Sequence, residues 1–216
     1  KKCFKTRKSN PEISIGTCTV TYGKDNRDVI ICPHRLLERR QIFIDCLHLL
    51  NSHTPGNELH IVPEVSIPGG SVDYVLVSTD RNRKVKDFVG IELQTMDTTG
   101  TVWPERLRLL QELGCDVNEP ISDKTFGMNW KMTSKTILVQ LLHKIETFES
   151  LNRHLVLIIQ DHLLEYMKKE FSFAHVTDAK IGDSMHFHAY SLDNIGGSFK
   201  LHLNNRLSTD SSGIST

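Results

Sequence analysis

The sequence lacks several features that would each define a class of protein. It contains no run of about 18 apolar residues, which argues against a membrane-spanning helix, and it does not open with a secretory leader. Lysine and arginine balance aspartate and glutamate at 26 each, so a positive field over the whole surface is absent. Gly69 and Gly70 lack the rest of a phosphate-binding loop. With 38% apolar and 24% charged residues, the composition is that of a folded chain rather than a disordered one.

Cysteine is scarce, and its five copies are an odd number, which argues against a complete disulfide framework. No two cysteines form a Cys-x-x-Cys pair, the spacing that tetrahedral thiolate sites usually use. We therefore expect a protein of the reducing cytoplasm, in which thiolates serve metal binding rather than crosslinking. Because the first residue is Lys1 rather than Met, we also expect the chain to be a fragment or to have been trimmed.

Three polar side chains lie on two consecutive segments that have the character of β-strands. The segment 71–78 contains Asp73, and the segment 87–95 contains Glu92 and Gln94. Because strand side chains alternate between faces, Glu92 and Gln94 project from the same face. The charged residues between the two segments predict a hairpin turn, and antiparallel pairing would bring Asp73 beside Glu92.

Paired carboxylates in this position predict a magnesium site. Asp73 and Glu92 would repel each other unless a hard cation lay between them, and Mg²⁺ prefers one or two carboxylates, a carbonyl and several waters. Such an ion activates a water molecule and stabilises the charge on a phosphodiester under attack. Because the Gln94 amide is not a base at neutral pH, a second carboxylate would help it, with Glu64 the best candidate and Glu38 a weaker one. An edge hairpin with a solvated polar face is the alternative explanation of the same residues.

The order and spacing of these residues resemble the PD-(D/E)XK nucleases, in the variant whose last position is Gln. Pro68-Gly-Gly-Ser-Val-Asp73 is followed, after 18 intervening residues, by Glu92-Leu-Gln94. Further short motifs surround them in order, namely Ile31–Leu36, Pro63–Ile67, Gly90–Gly100, Asn129–Lys135 and Gln140–Lys144. Together with three early cysteines, these motifs resemble the NotI-type restriction endonucleases over about residues 3–161.

The resemblance implies a type II restriction endonuclease that hydrolyses phosphodiesters of double-stranded DNA with Mg²⁺. It implies that Asp73, Glu92 and Gln94 are catalytic, with Glu64 in support, and that Asp73 and Glu92 hold the magnesium. Cutting both strands of a symmetric site needs two active sites, so a homodimer is expected. Two other functions remain open: a non-catalytic DNA-binding module that is stabilised by its bound metal, and a repair or recombination nuclease on the same core.

The resemblance also implies a second, structural metal bound by cysteines near the start of the chain. Cys3, Cys18 and Cys32 are separated by 14 and 13 residues. They would bind zinc or iron, since tetrahedral sulfur sites suit either ion. A fourth ligand would come from a cysteine upstream of Cys3 or from Cys46, although the apolar helix flank around Cys46 favours a buried core thiol. Cys115 is expected to be structural or incidental.

The order of strand and helix patterns predicts an α/β fold with a mixed central sheet flanked by helices. The resemblance implies a restriction-endonuclease-like core and a small N-terminal cysteine-rich metal-binding module. We assign residues 1–33 to that module, 34–207 to the nuclease domain and 208–216 to a disordered tail. Besides the two strands above, the patterns predict helices at 34–51, 104–113, 133–150 and 162–171, and strands at 58–67, 154–160, 185–191 and 198–203.

Overall fold

A computed structural model describes residues 6–8, 10–14 and 16–215, and most of its strands belong to one sheet. The strands are β1 (Thr6–Arg7), β2 (Asn10–Ser14), β3 (Thr19–Tyr22), β4 (Arg27–Ile30), β5 (Glu58–Ile67), β6 (Gly70–Thr79), β7 (Val85–Leu93), β8 (Thr98–Thr99), β9 (Gly127–Met128), β10 (His154–Gln160), β11 (Thr177–Asp178), β12 (Met185–Ile195) and β13 (Ser198–Thr209). The helices are α1 (Gln41–Asp45), α2 (Trp103–Glu112), α3 (Trp130–Ser150), α4 (Asp161–Glu170) and α5 (Ser211–Ser215).

The central sheet has seven strands in the order β11-β13-β12-β10-β7-β6-β5. Strands β7, β10 and β12 lie parallel at its centre. Antiparallel strands extend it on both sides, β6 and β5 next to β7, and β13 and β11 next to β12. The predicted α/β fold with a mixed sheet is therefore confirmed. Strand β10 is buried along its whole length, as expected for a strand that is covered on both faces.

Helices α3 and α4 cover one face of the sheet. Their buried side chains include Ile137, Leu141, Ile145 and Phe148 from α3 and Leu163 from α4. These side chains pack against alternate residues of the strands, such as the fully buried members of β10 and β12 on that face. The apolar spacing of three and four residues along α3 is what the sequence predicts for a helix that packs on a sheet. None of the helices in the described part of the chain combines the length and the apolarity that a membrane crossing requires.

The opposite face is covered by residues 33–50, where the sequence predicts one helix and the structure has four short helical segments. Three 3₁₀ turns, Pro33–Arg35, Glu38–Arg40 and Leu47–Leu49, flank the five-residue helix α1. Arg39 and Arg40 have φ values of 52° and 58°, in the left-handed region that a regular helix excludes. The break lets Leu36, Ile42, Phe43, Cys46, Leu49 and Leu50 all reach the same buried cluster. The prediction of a continuous helix over 34–51 is therefore wrong.

The C-terminal end also differs from its prediction. Strand β13 continues through Thr209 and helix α5 follows it, where the sequence predicts a disordered tail from residue 208. Ser208 is fully buried, and its Oγ donates to Asp183 Oδ2 at 2.5 Å. Thr209 Oγ1 donates to the carbonyl of His175 at 3.0 Å. The polar composition of the tail does not reveal these contacts, because the partners of Ser208 and Thr209 lie elsewhere in the fold.

Candidate active site

Asp73 and Glu92 meet where strands β6 and β7 leave their antiparallel ladder. The last pair of that ladder is Tyr74 with Ile91, so the next pair in register is Asp73 with Glu92. Asp73 Oδ2 accepts a hydrogen bond of 2.8 Å from the backbone N–H of Leu93. The hydrogen bond fixes the Asp73 carboxylate at the end of β7, beside Glu92, as the hairpin pattern predicts.

Glu92 points from the sheet toward α3. Leu93 packs with the cluster on the opposite face, so the alternation of β7 directs Glu92 to the helix side. There Lys144 Nζ donates to Glu92 Oε1 at 2.7 Å. The two side chains are only 6% and 8% exposed, so this ion pair is shielded from water.

The Glu92 carboxyl group resists ionisation in this position. Its pKa is raised to about 7: burial is the largest cause, the hydrogen bond and charge of Lys144 oppose it, and the nearby charge of Asp73 adds to it. With Asp73 beside the Glu92–Lys144 pair, the site has two acidic side chains and one lysine, which is an arrangement that can take up a further positive charge. Perturbed carboxyl groups of this kind are frequent in functional sites.

Gln94 and Glu64 lie near the pair without joining it. The Gln94 backbone N–H donates to the carbonyl of Ile158 at 3.0 Å, and its side-chain amide donates to the carbonyl of Thr95 at 2.7 Å. Glu64 on β5 lies opposite Asp73 on β6, between the ladder pairs Pro63–Tyr74 and Val65–Val72. It is exposed and has a φ of 52°, a conformation that non-glycine residues rarely adopt. The catalytic roles predicted for these two residues stay predictions.

Several contacts set the position of α3, and hence of Lys144, against the two strands. The Asn129 N–H at the start of α3 donates to the carbonyl of Asp97 at 2.9 Å, which ties the helix to the segment that follows β7. At the β5–β6 turn, a Cβ on Gly69 would lie 2.4 Å from the carbonyl oxygen of His143. Gly69 also has a φ of 88°, so the turn needs a glycine for both conformation and close approach. The turn therefore packs directly on the helix, one residue before Lys144.

The two carboxylates fit a magnesium ion better than a softer metal. Asp73 and Glu92 provide two hard oxygen donors on adjacent strands, and Mg²⁺ commonly takes one or two carboxylates and keeps its remaining ligands as water. Across residues 6–8, 10–14 and 16–215, no three or more His, Cys, Asp or Glu side chains are arranged to hold a metal. A metal at this position would therefore depend on Asp73, Glu92 and non-side-chain ligands.

The structure leaves the predicted cysteine-bound metal untested. Cys3 lies outside the described residues, whereas Cys18 and Cys32 lie at the open end of the β3–β4 hairpin. The Ile31 N–H donates to the Cys18 carbonyl at 3.0 Å, which brings the two cysteines to neighbouring positions. Cys46 is fully buried, its Sγ lies 3.8 Å from His188 Nδ1, and burial raises the pKa of its thiol. These features favour a core thiol rather than a fourth metal ligand as the role of Cys46. Cys115 is exposed.

A cavity of about 980 Å³ lies away from the two carboxylates. It is enclosed by β3, α2 and the β12–β13 hairpin, and its charged lining residues are Asp28, Arg35, Glu38, Arg39, Glu105, Arg106 and Lys200. The mixture of both signs does not define a DNA surface by itself. Glu38, the weaker candidate for support of Gln94, lies here: it pairs with Arg35 at 3.0 Å and accepts from the Leu201 N–H.

Lys144 is the residue of this site whose role the sequence analysis missed. Lys144 belongs to the motif Gln140–Lys144, and the sequence pattern of that motif does not indicate a chemical role for it. A signal was present, because Lys144 follows Ile137 by seven residues and Leu141 by three, which places it on the buried stripe of α3. A lysine on an apolar stripe needs a buried partner, and the acids at 73 and 92 were the natural candidates.

The fold and the paired acids together define a nuclease-like α/β protein with a candidate metal site at the end of β7. A family model described as "Restriction endonuclease NotI" matches residues 12–201, which is most of the chain. The protein therefore belongs to the NotI restriction endonuclease family, and the predicted resemblance is confirmed. Membership in this family implies a nuclease that acts on DNA. A comparison with curated proteins gave no match.

Proposed function

We propose that this protein is a magnesium-dependent type II restriction endonuclease, which hydrolyses phosphodiesters of double-stranded DNA at a specific sequence. The observation that carries the proposal is the contact of Asp73 with the end of β7 beside Glu92. Within a restriction endonuclease family, a buried and a half-buried carboxylate side by side on adjacent strands are best explained as the ligands of a catalytic cation.

The protein side of the reaction follows from the contacts of these acids. A bound Mg²⁺ supplies Lewis-acid polarisation of the scissile phosphate and a water of lowered pKa. Asp73 is fixed through Oδ2 by the Leu93 N–H, and Glu92 is fixed through Oε1 by Lys144. Each carboxylate therefore keeps its second oxygen for the cation. Gln94 orients the attacking water by hydrogen bonding, and Glu64 on the neighbouring strand assists it.

The cysteine-bound metal is the second element of the proposal. The adjacency of Cys18 and Cys32 at the end of one hairpin supports a shared ion. With Cys3 it would be zinc or iron in a tetrahedral sulfur site. Elemental analysis of protein that was purified without chelator tests this, with Cys32→Ser as the variant that loses the metal. A metal-free protein that retains its fold would contradict it.

A homodimer is the third element, because cleavage of both strands of a symmetric site requires two copies of the active site. Sedimentation analysis with and without DNA measures the assembly. A strictly monomeric protein that nevertheless cuts both strands in one binding event would contradict it.

The central experiment incubates plasmid DNA with purified protein and Mg²⁺. The test variants are Asp73→Asn and Glu92→Gln, which preserve side-chain shape while removing charge. Glu170→Gln, at an exposed position of α4, is the matched control. We expect discrete DNA fragments from the wild type and from Glu170→Gln, and a loss of cleavage of roughly 10³-fold or more in both test variants.

The other outcomes distinguish the alternative functions. Intact plasmid with a retained gel shift in the wild type would indicate a non-catalytic DNA-binding module. Preferential cleavage of branched DNA over linear duplex would indicate a repair or recombination nuclease. Full cleavage by either Asp73→Asn or Glu92→Gln would refute the assignment of the site. Cleavage that persists in excess chelator would refute the role of Mg²⁺.

A further inference from the structure

The candidate active site has a cation that does not come from the strand motif. The third polar position of that motif is Gln94, whose amide carries no charge and whose Nε2 donates to the Thr95 carbonyl. The positive group in contact with Glu92 is Lys144, which lies 52 residues after Glu92 along the chain. Its ammonium approaches Glu92 from α3, the helix that covers this face of the sheet.

The burial of Lys144 sets it apart from an ordinary surface lysine. Only 8% of its side chain is exposed, and its Nζ lies 2.7 Å from Glu92 Oε1. An ammonium buried to this degree loses its hydration, and a single ion pair repays that loss only partly. Uncharged side chains at both 92 and 144 would avoid this cost. Stability therefore does not explain why the Glu92–Lys144 pair is present.

We infer that Lys144 is a positioning residue of the active site, which supplies from a helix the positive charge that Gln94 cannot supply from the strand. This inference rests on the proposed nuclease function. Lys144 holds Glu92 by Oε1, so that Oε2 is directed to the cation. Its charge also compensates one of the two carboxylates.

The charge balance of the site gives this inference a second, independent consequence. When both carboxylates are ionised, Asp73 and Glu92 with Lys144 carry one net negative charge, whereas the two acids without the lysine carry two. A divalent cation is attracted more strongly to the second arrangement. Lys144 therefore weakens cation binding in the ground state while it fixes the geometry that the reaction needs.

The experiment separates chemistry from binding and from folding. Lys144→Gln keeps a hydrogen-bond donor for Glu92 but removes the charge, and Lys144→Met removes both. We expect kcat to fall about 100-fold in Lys144→Gln, with KM for the cognate duplex unchanged within about twofold, because the effect is confined to the reacting centre. Calorimetric titration with Mn²⁺ alone should show about fivefold tighter binding in Lys144→Gln than in the wild type.

A relocation variant tests whether the charge itself is what matters. Gln94→Lys combined with Lys144→Met moves the positive side chain from α3 to the end of β7, and it should recover at least tenfold of the kcat lost in Lys144→Met. Lys168→Met, an exposed lysine on α4, is the matched control and should behave as the wild type. Circular dichroism gives the folded fraction by which each rate is divided.

Two results would overturn the inference. One is a wild-type kcat per folded molecule in Lys144→Gln. The other is a folded, DNA-binding relocation variant that recovers no activity. If the wild type cleaves no DNA, the proposed function fails, and the Mn²⁺ titration still decides: unchanged affinity in Lys144→Gln overturns the role of Lys144, and tighter binding supports it.

Discussion

Strand β7 carries a buried acid at each end, and the two acids are bonded in different ways. Near the start of the strand, Asp87 is 2% exposed. It accepts hydrogen bonds from the backbone N–H groups of Ser52 at 2.6 Å and Phe88 at 2.9 Å, and Arg153 Nε lies 3.0 Å from its Oδ1. At the other end, the Glu92 carboxyl group accepts its hydrogen bond from the ammonium of a side chain, that of Lys144.

The difference predicts that Asp87 serves the fold and that Glu92 serves chemistry. Backbone donors cannot leave Asp87 without unfolding of the segment, so its charge is compensated in every folded state. Glu92 depends on a flexible side chain, lies beside a second acid, and has a pKa raised to about 7 by burial. A carboxylate that the protein itself stabilises so incompletely is suited to bind a cation.

The largest effect is expected where the Glu92–Lys144 pair is removed as a unit. Glu92→Gln combined with Lys144→Met should abolish cleavage, by roughly 10³-fold or more, because a proposed metal ligand is lost. Its stability should remain close to that of the wild type, whereas Lys144→Met alone should lose about 3 to 5 kcal/mol by leaving a buried carboxylate unpaired. Urea unfolding of the four proteins in a double-mutant cycle measures the coupling. Additive losses would show that the two groups do not interact as described.

The sequence predicts the part of the site that is local and misses the part that is not. The alternation of residues on two strands joined by a hairpin is enough to place Asp73 beside Glu92. Lys144 joins them only because α3 docks on the sheet, and that docking depends on contacts such as Gly69 against His143. The periodicity of residues 133–150 predicts the helix, but not the strand residue that each of its side chains meets.

The broken helix over 33–50 shows a second limit of sequence reasoning. Phe43, Cys46 and Leu49 are buried at spacings of three, which suits 3₁₀ turns as well as an α-helix. Nothing in Arg39 or Arg40 signals a left-handed backbone, since neither is a glycine or asparagine. The sheet surface selects the broken form, because it buries apolar side chains that a straight helix would turn toward water.

Two buried histidines on the opposite face of the sheet extend the comparison to titratable side chains that stay uncharged. His186 and His188 on β12 are 1% and 0% exposed. Burial lowers the pKa of His186 to about 4 and that of His188 to about 3. The titratable and charged groups that face them are Cys46, His48, His154, Asp183 and Arg206. Unlike Glu92, these side chains remain neutral in the folded protein.

The lowered pKa values of these histidines predict that the protein loses stability in acid. The unfolded chain binds a proton at each histidine near pH 6.5 and the folded chain does not, so the free energy of unfolding falls as the pH drops from 6.5 toward 4. The loss should approach about 3 kcal/mol for each histidine. Urea unfolding across this range measures it: His188→Leu should show a shallower pH dependence, and exposed His202→Gln should not. A wild-type stability that is constant from pH 6.5 to 4 would contradict the prediction.

At the other end of β7, Asp87→Asn should affect the fold and leave the chemistry intact. The amide keeps one acceptor oxygen but loses one of the two backbone hydrogen bonds, from Ser52 or Phe88, and the ion pair with Arg153, for a loss of about 3 kcal/mol. The kcat of the folded fraction should equal that of the wild type, because Asp87 lies five residues before Glu92 on the strand. Thermal unfolding and single-turnover cleavage on the same sample test both statements. A large fall in kcat with unchanged stability would erase the distinction between the two acids.

Gly90 lies between the two acids and offers the smallest change that should disturb one of them. A Cβ at this position would lie 2.3 Å from Phe148 Cζ and 2.6 Å from its Cε1, so Gly90→Ala must displace the buried Phe148 ring, and we expect this to disturb the packing of α3 on β7. We expect a loss of about 2 kcal/mol from overpacking, together with a fall in kcat because Lys144 moves away from Glu92. Adding Phe148→Leu should relieve the clash and restore part of both quantities. Gly182→Ala, where a Cβ meets nothing within 4 Å, is the matched control for backbone effects. A stability loss in Gly90→Ala with an unchanged kcat would mean that activity tolerates displacement of α3, and Glu92 would then resemble Asp87 more closely than the contacts indicate.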